Sequence, residues 1–234
     1  KVDDFFARQQ VYNLLNDADL PEGVTPEVQP LYGPTGEIFR YTLRSDKRSV
    51  RELKTLQDWV IERKLRAVPG VADIVSFGGE VKTFEVSVNP NQLISYGVTT
   101  LELYDAIAKS NINVGGDMIT KSSQAYVVRG IGLINDVKEI ENIVVKNING
   151  TPILVKHLAT VHESSLPRLG QVGRMEEDDV VQGIVVMRKG ENPGEVIAAL
   201  KDKIKDIQQN ALPEDVRIVS FYDRENLVDQ IGRA

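Results

Sequence analysis

Cysteine is absent from the 234 residues of this sequence. Its absence excludes disulfide bonds, thiolate metal sites and cysteine nucleophiles, although it does not indicate a cellular compartment. The sequence also lacks any run of about 18 apolar residues, so we expect no segment of it to cross a membrane. No signal peptide is recognisable at its start, and the sequence itself is therefore expected to carry no export instruction.

Residue patterns typical of catalysis or nucleotide binding are also missing. The only histidines are His157 and His162, and their spacing does not place both on one helical face, so we expect no zinc site there. Neither a Gly-x-Ser-x-Gly nor a Gly-x-Gly-x-x-Gly motif is present. A net charge of −6 argues against binding to nucleic acid. We therefore expect no enzyme, no bound cofactor and no nucleic-acid partner.

What the sequence does contain is an alternation of helix and strand signals from Ser49 to Met118. Ser49 and Glu52 form a capping-box signature, which marks the start of a helix. An apolar stripe follows at roughly helical spacing, formed by Val50, Leu53, Leu56, Val60 and Leu65. The pattern predicts, in order, strand 37–43, helix 49–66, strand 72–77, strand 83–88, helix 99–109 and strand 112–119. This β-α-β-β-α-β order predicts an α+β, ferredoxin-like fold with both helices on one face of an antiparallel sheet.

The flanking segments also show local signals. A helix is predicted over 1–19 and a short helix over 136–141. Asn149-Gly150 predicts a hairpin turn, because this pair accepts the positive φ angles of a type I′ turn. Towards the end, the pattern predicts a strand over 180–188, an amphipathic helix over 196–207 and a last strand over 216–222.

Several of these motifs, in this order, resemble the first large periplasmic loop of resistance-nodulation-division (RND) efflux pumps of the heavy-metal subgroup. The motifs are Ala67-Val68-Pro69-Gly70-Val71-Ala72-Asp73, Phe77-Gly78-Gly79, Ser95-Tyr96-Gly97-Val98-Thr99 and the Asn-Ile-Asn-Val-Gly-Gly of 111–116. The resemblance implies that 1–35 is the C-terminal end of the first porter subdomain. It implies further that 36–119 and 178–224 form a split second porter subdomain, and that 120–177 is an inserted, β-rich docking subdomain.

The same resemblance implies a function. The sequence would belong to the periplasmic part of a bacterial inner-membrane pump that exports heavy-metal cations by proton antiport and so confers metal resistance. It further implies a homotrimer that contacts a periplasmic adaptor protein and an outer-membrane channel. The membrane helices, and the proton-relay carboxylates in them, would lie outside this sequence.

Two carboxylates are the candidate metal ligands, because divalent ions accept oxygen ligands from Asp and Glu. Glu37 opens the first porter strand, and Asp73 opens the strand after the Val-Pro-Gly-Val turn. As strand-end residues both could face the cleft through which this family carries its ion. The alternative is that both are ordinary solvated carboxylates, which is the common role of Asp and Glu.

Thioethers suit soft ions such as Cu(I), so Met118, Met175 and Met187 are a second potential ligand set. They are far apart in sequence, which favours core packing for all three. The acidic run 176–179 is interpreted as a solvated hinge between the docking and porter pieces.

Two alternative functions remain open. A multidrug pump of the same superfamily would need an aromatic-lined cleft, and only 6% of the residues are aromatic. A ferredoxin-like regulatory domain that binds a small ligand is the other alternative, and amino-acid binding would favour it.

Overall fold

The computed structural model describes residues 2–21, 23–33, 35–111, 118–121, 124–127 and 133–226. Its first elements are α1 (Asp4–Asn16), β1 (Glu37–Arg44), α2 (Val50–Leu56), a π-helical segment (Gln57–Ile61), α3 (Glu62–Arg66), β2 (Val71–Phe77), β3 (Lys82–Val88), α4 (Pro90–Tyr96) and α5 (Thr100–Ser110). There follow β4 (Met118–Lys121), β5 (Gln124–Val127), α6 (Val137–Glu141), β6 (Val144–Ile148), β7 (Thr151–Leu154), α7 (Val155–Leu158), β8 (Ala159–Ser165), β9 (Val181–Met187), α8 (Pro193–Asn210) and β10 (Arg217–Asp223).

The chain divides into two compact units. We call residues 1–79 together with 170–234 unit 1, and residues 80–169 unit 2. Among the residues that the structure describes, no helix is long and apolar enough to cross a bilayer.

Unit 1 contains a four-stranded sheet in the order β10-β1-β9-β2, in which every pairing is antiparallel. The helical stretch from α2 to α3 connects β1 to β2, and α8 connects β9 to β10. Apolar side chains of these helices and of the sheet form a single hydrophobic core. Two β-α-β halves therefore share one sheet, and the predicted ferredoxin-like α+β fold is confirmed.

The close packing of this core depends on a glycine. Tyr41 of β1 is fully buried and lies opposite Gly183 of β9 in the strand register. A Cβ atom at position 183 would lie 2.2 Å from the tyrosine ring. Only a residue without a side chain leaves room for Tyr41 against the sheet.

The helix predicted over 49–66 is present with its capping box, but its middle is π-helical rather than α-helical. Its buried residues are Leu53, Gln57, Ile61 and Leu65, spaced four apart. The predicted stripe is confirmed at Leu53 and Leu65, and Leu56 packs partly buried against the core, but the stripe missed Gln57 and Ile61. Four residues exceed one α-helical turn by about 40°. A regular α-helix would therefore rotate this stripe away from the sheet, and the wider π-turn compensates for the drift.

Unit 2 is built on a ladder between β3 and β8 and a hairpin between β6 and β7. Helices α4 to α7 contribute to its separate hydrophobic core, together with Phe84, Val86 and Val88 of β3. The predicted hairpin turn is confirmed, since Asn149 and Gly150 have φ angles of 51° and 83°.

The prediction that β3 belongs to the ferredoxin-like sheet, and that α5 packs on that sheet, is wrong. β3 pairs along its whole length with β8, and α5 packs near β6 in unit 2. The sequence predicts strands 72–77 and 83–88 as neighbours, whereas the actual partner of β3 lies more than seventy residues later and cannot be seen from local periodicity. The compact insertion accordingly runs from 80 to 169, where the expected inserted piece was 120–177.

Part of the predicted secondary structure falls outside the described residues. Of the strand predicted over 112–119, only 118 and 119 are described, at the start of β4. β4 pairs with β5 as a short antiparallel ladder.

Candidate functional site

The two candidate metal ligands lie in the same row of the unit 1 sheet. Glu37 of β1 and Asp73 of β2 are both register partners of Val186, on opposite sides of β9. Their Cα atoms are therefore about 10 Å apart, two strand spacings. Both strands have a register irregularity at this row. The fold thus brings together two carboxylates that are distant in sequence.

Glu37 is paired with a cation of its own strand. Its Oε2 accepts a hydrogen bond of 3.1 Å from Arg40 Nε and a second, from Nη2 of the same guanidinium. The Glu37 side chain is 43% exposed. Arg40 also lies over the ring of Tyr222 on β10, at 5.8 Å from the ring centroid. A metal ion at Glu37 would have to compete with this guanidinium.

Asp73 is paired with a cation from the neighbouring helix. Its Oδ1 lies 2.7 Å from Arg66 Nη2, and the Oε1 atom of Glu62 lies 2.8 Å from the same nitrogen. The side chains of Asp73 and Glu62 are only 22% and 21% exposed. One guanidinium therefore bridges two partly shielded carboxylates, of which Glu62 was not among the predicted site residues. Its four-residue spacing from Arg66 was visible, but nothing local linked either residue to Asp73.

A chain of hydrogen bonds leads from this corner into the core. Ser76 Oγ donates to Glu62 Oε2 at 3.3 Å, and Gln57 Nε2 donates to Ser76 Oγ at 2.9 Å. Gln57 Oε1 accepts from the Tyr41 hydroxyl at 3.1 Å. Burial raises the pKa of Tyr41 far above its ordinary value, so the hydroxyl stays a neutral donor.

A cavity of about 420 Å³ lies beside the end of β1 in unit 1. Three arginines and three carboxylates line it: Arg44, Arg48, Arg217, Asp46, Glu177 and Asp179. Arg44 pairs with Glu177 at 3.1 Å, and Arg48 pairs at 3.1 Å with Asp215 next to the cavity. Its charges therefore largely neutralise one another.

The ion pair and hydrogen bond of Asp215 predict that the stability of unit 1 depends on pH. A hydrogen bond from the Ser45 hydroxyl at 2.7 Å, supported by Arg48, lowers the pKa of Asp215 below its ordinary value. A carboxylate with a lowered pKa stabilises the folded state above its unfolded pKa of about 4, and this contribution is lost as the pH falls through the folded value. We expect Asp215→Asn to destabilise unit 1 at pH 7, and the difference from wild type to shrink below about pH 4.

Urea unfolding at several pH values measures this effect. Asp46→Asn is the matched control, because Asp46 lines the same cavity but its side chain is 96% exposed. A difference between wild type and Asp215→Asn that stayed constant from pH 7 to pH 3 would contradict the assignment.

The remaining candidate ligands do not converge. His157 Nδ1 accepts a hydrogen bond from the Leu154 amide, and His162 Nε2 lies 3.5 Å from Glu85. Within the described ranges, no group of three or more His, Asp or Glu residues is arranged to hold a metal ion.

The prediction of core packing is confirmed for one methionine and wrong for another. Met187 is 8% exposed and packs in the core of unit 1. Met175 is 88% exposed and has a φ of 56°, because it lies in the two-residue turn between Arg174 and Glu177. Glu177 itself belongs to unit 1 through its ion pair with Arg44. The side chain of Met118 lies outside the described residues.

Comparison with known proteins gives consistent matches. A model of the AcrB/AcrD/AcrF family matches residues 1–231. "Cation efflux system protein CusA" of Escherichia coli (strain K12) is 36% identical to this chain, over 98% of the chain and 22% of CusA. "Cobalt-zinc-cadmium resistance protein CzcA" of Cupriavidus metallidurans is 35% identical, again over 98% of this chain and 22% of the relative.

Solved structures agree with these relatives. A crystal structure of a heavy metal efflux pump superposes with a TM-score of 0.84 at 37% identity, over 97% of this chain and 23% of the pump chain. A second crystal form gives a TM-score of 0.81 at 36% identity. The resemblance to heavy-metal RND pumps seen in the sequence is thereby confirmed, and the chain belongs to the AcrB/AcrD/AcrF family.

Proposed function

We propose that this chain is a periplasmic portion of a proton-driven transporter that exports heavy-metal cations. The observation that carries the proposal is the match of 98% of the chain to relatives named for cation efflux and for cobalt, zinc and cadmium resistance. The chain spans 22% of the length of these relatives, so the rest of the transporter would supply the membrane part and the proton pathway.

The two units receive different roles in this proposal. The sheet of unit 1, with the helices packed against it, acts as a porter wall, and α1 belongs to the end of a preceding porter subdomain. Unit 2 contains the docking insertion. Each has its own hydrophobic core, which supports movement of packed bodies rather than local unfolding. The metal ion is cargo, and the portion needs neither a cofactor nor a catalysed reaction.

The proposed partners follow from family membership. The complete protein forms a homotrimer in the bacterial inner membrane and contacts a periplasmic adaptor protein and an outer-membrane channel. Within this chain we assign the ion contacts to Glu37 and Asp73. What supports this assignment is their common row in the sheet and the shielding of Asp73. An ion would displace the guanidinium of Arg40 or Arg66 when it binds.

Metal tolerance tests the proposal. The gene that encodes the whole protein would be expressed in bacteria deleted for their own metal exporters, with growth scored against zinc, cobalt, cadmium, copper and silver. We expect tolerance to at least one of these ions to rise. Protection against organic dyes without protection against any metal would contradict the proposal and favour the multidrug alternative.

A further inference from the structure

The buried side chain of Gln57 connects the core of unit 1 to the candidate ion contact. We propose that Gln57 is a positioning residue that fixes the orientation of Asp73 through Ser76, Glu62 and Arg66. The importance of this role for transport rests on the proposed function, because it assumes that Asp73 contacts the ion. The effect of Gln57 on the orientation of Asp73 does not depend on any ion.

Gln57 is a polar residue in a position that the helix pattern reserves for apolar ones. It has no exposed surface, and its neighbours in the stripe are Leu53 and Ile61. Both ends of its amide are used, since Oε1 accepts from Tyr41 and Nε2 donates to Ser76. A buried amide with unmade hydrogen bonds is unfavourable, so these two partners hold the side chain in one orientation.

The π-helical segment begins at Gln57. It keeps Gln57, Ile61 and Leu65 on the sheet side in spite of their four-residue spacing. The same turn places Glu62, the first residue of α3, where the Ser76 hydroxyl reaches it at 3.3 Å. The irregular helix thus directs one amide and one carboxylate towards the same serine.

From Ser76 the chain continues without a gap to Asp73. Glu62 uses Oε2 for Ser76 and Oε1 for Arg66, so its two oxygens are fixed from opposite directions. Arg66 Nη2 then lies 2.7 Å from Asp73 Oδ1. Asp73 Oδ1 also accepts a hydrogen bond of 2.8 Å from the Ile74 amide, which is a local contact within β2. Among the contacts of the described residues, the path through Arg66 is the one that links the orientation of Asp73 to the helix.

A change at Gln57 reaches Asp73 because each side chain between them contacts the one before it and the one after it. Loss of Gln57 Nε2 leaves the Ser76 hydroxyl free to turn away from Glu62. Glu62 Oε2 then loses a donor, and the position of Arg66 between the two carboxylates is no longer fixed from the core side. Arg66 is 51% exposed, so nothing comparable restrains it from the solvent side.

Nuclear magnetic resonance on the full 234-residue chain, without metal, tests the positioning role. The readouts are the carboxyl carbon signals of Asp73 and Glu62 and the Nε–Hε signal of Arg66. We expect Gln57→Leu to shift all three, although the side chain of Gln57 hydrogen-bonds to Tyr41 and Ser76 rather than to these groups.

Controls separate positioning from simple stability. Thr55→Ala is the matched variant, because the Thr55 hydroxyl donates to the Arg51 carbonyl in the same helix and lies outside the chain of bonds. It should leave the three signals in place. If Gln57→Leu fails to fold, Ser76→Ala interrupts the same path nearer the surface. A lower melting temperature with unmoved Asp73, Glu62 and Arg66 signals, in any folded variant, would overturn the proposal.

A zinc titration of the wild type then separates the positioning role of Gln57 from the ion-binding role of Asp73. Signals of Asp73 that move with Gln57→Leu but not with zinc would retain Gln57 as a positioning residue and count against Asp73 as an ion contact. Signals of Asp73 that move with zinc but not with Gln57→Leu would support Asp73 as an ion contact and overturn the positioning role of Gln57.

Discussion

Replacing Leu200 by alanine is expected to lower the free energy of unfolding of unit 1 by about 2–5 kcal/mol. Leu200 has no exposed surface and belongs to the buried stripe of α8, with Val196, Ile197 and Ile207. The substitution removes buried apolar atoms and leaves a cavity between α8 and the sheet, which the packed core can close only in part. A loss of this size is a large fraction of the stability of a small domain.

Urea denaturation followed by tryptophan fluorescence measures this loss. Trp59 is the only tryptophan and lies in unit 1, so its signal reports on that unit. Lys205→Ala is the control on the same helix, because its side chain is 74% exposed, and we expect a change within about 0.5 kcal/mol. A loss below about 1 kcal/mol for Leu200→Ala would show that α8 does not pack on the sheet as described.

Asp73→Asn is expected to weaken zinc binding to this chain by at least about 10-fold, because even the loss of a group that only supports a metal ligand typically costs about 10–100-fold. The amide retains the shape of the side chain but loses the charge that attracts the ion. Arg66→Gln should have the opposite sign. It removes the guanidinium that lies 2.7 Å and 2.8 Å from the carboxylates of Asp73 and Glu62, and so leaves both available to a cation.

The measurement is a zinc titration followed by the chemical shifts of Asp73 and Glu37. Asp202→Asn is the matched control, since Asp202 lies on α8, is 79% exposed and pairs only weakly, at 3.4 Å, with Lys205. Equal zinc affinity for wild type, Asp73→Asn and Arg66→Gln would contradict the assignment of Asp73.

Much of the fold followed from local signals. The capping box at Ser49, the Asn149-Gly150 turn and the amphipathic pattern of α8 each depend on residues a few positions apart, and all are present. The pairing of β3 with β8 was missed because it joins segments separated by most of unit 2. Such pairing depends on which apolar faces meet in the folded chain, and the period-two alternation of β3 does not contain that information.

The candidate site was predictable only in part. Asp73 was identified from a predicted strand start, although β2 begins two residues earlier, at Val71. Its partners Arg66 and Glu62 come from a helix packed beside the strand. Gln57 was overlooked because a polar residue in an apolar stripe looks like the exposed face, and the π-turn that directs it inward has no simple sequence signal. Met175 was expected in the core, yet a residue in a tight turn is exposed whatever its hydrophobicity.

Transport by the complete protein tests the central claim most directly. The complete protein would be reconstituted in lipid vesicles with a metal-sensitive dye on one side and a pH gradient across the membrane. We expect a heavy-metal cation to cross the membrane against its gradient only when the pH gradient is present, with protons moving the opposite way. Vesicles that move organic cations under the same gradient, but none of zinc, cobalt, cadmium, copper or silver, would contradict the account.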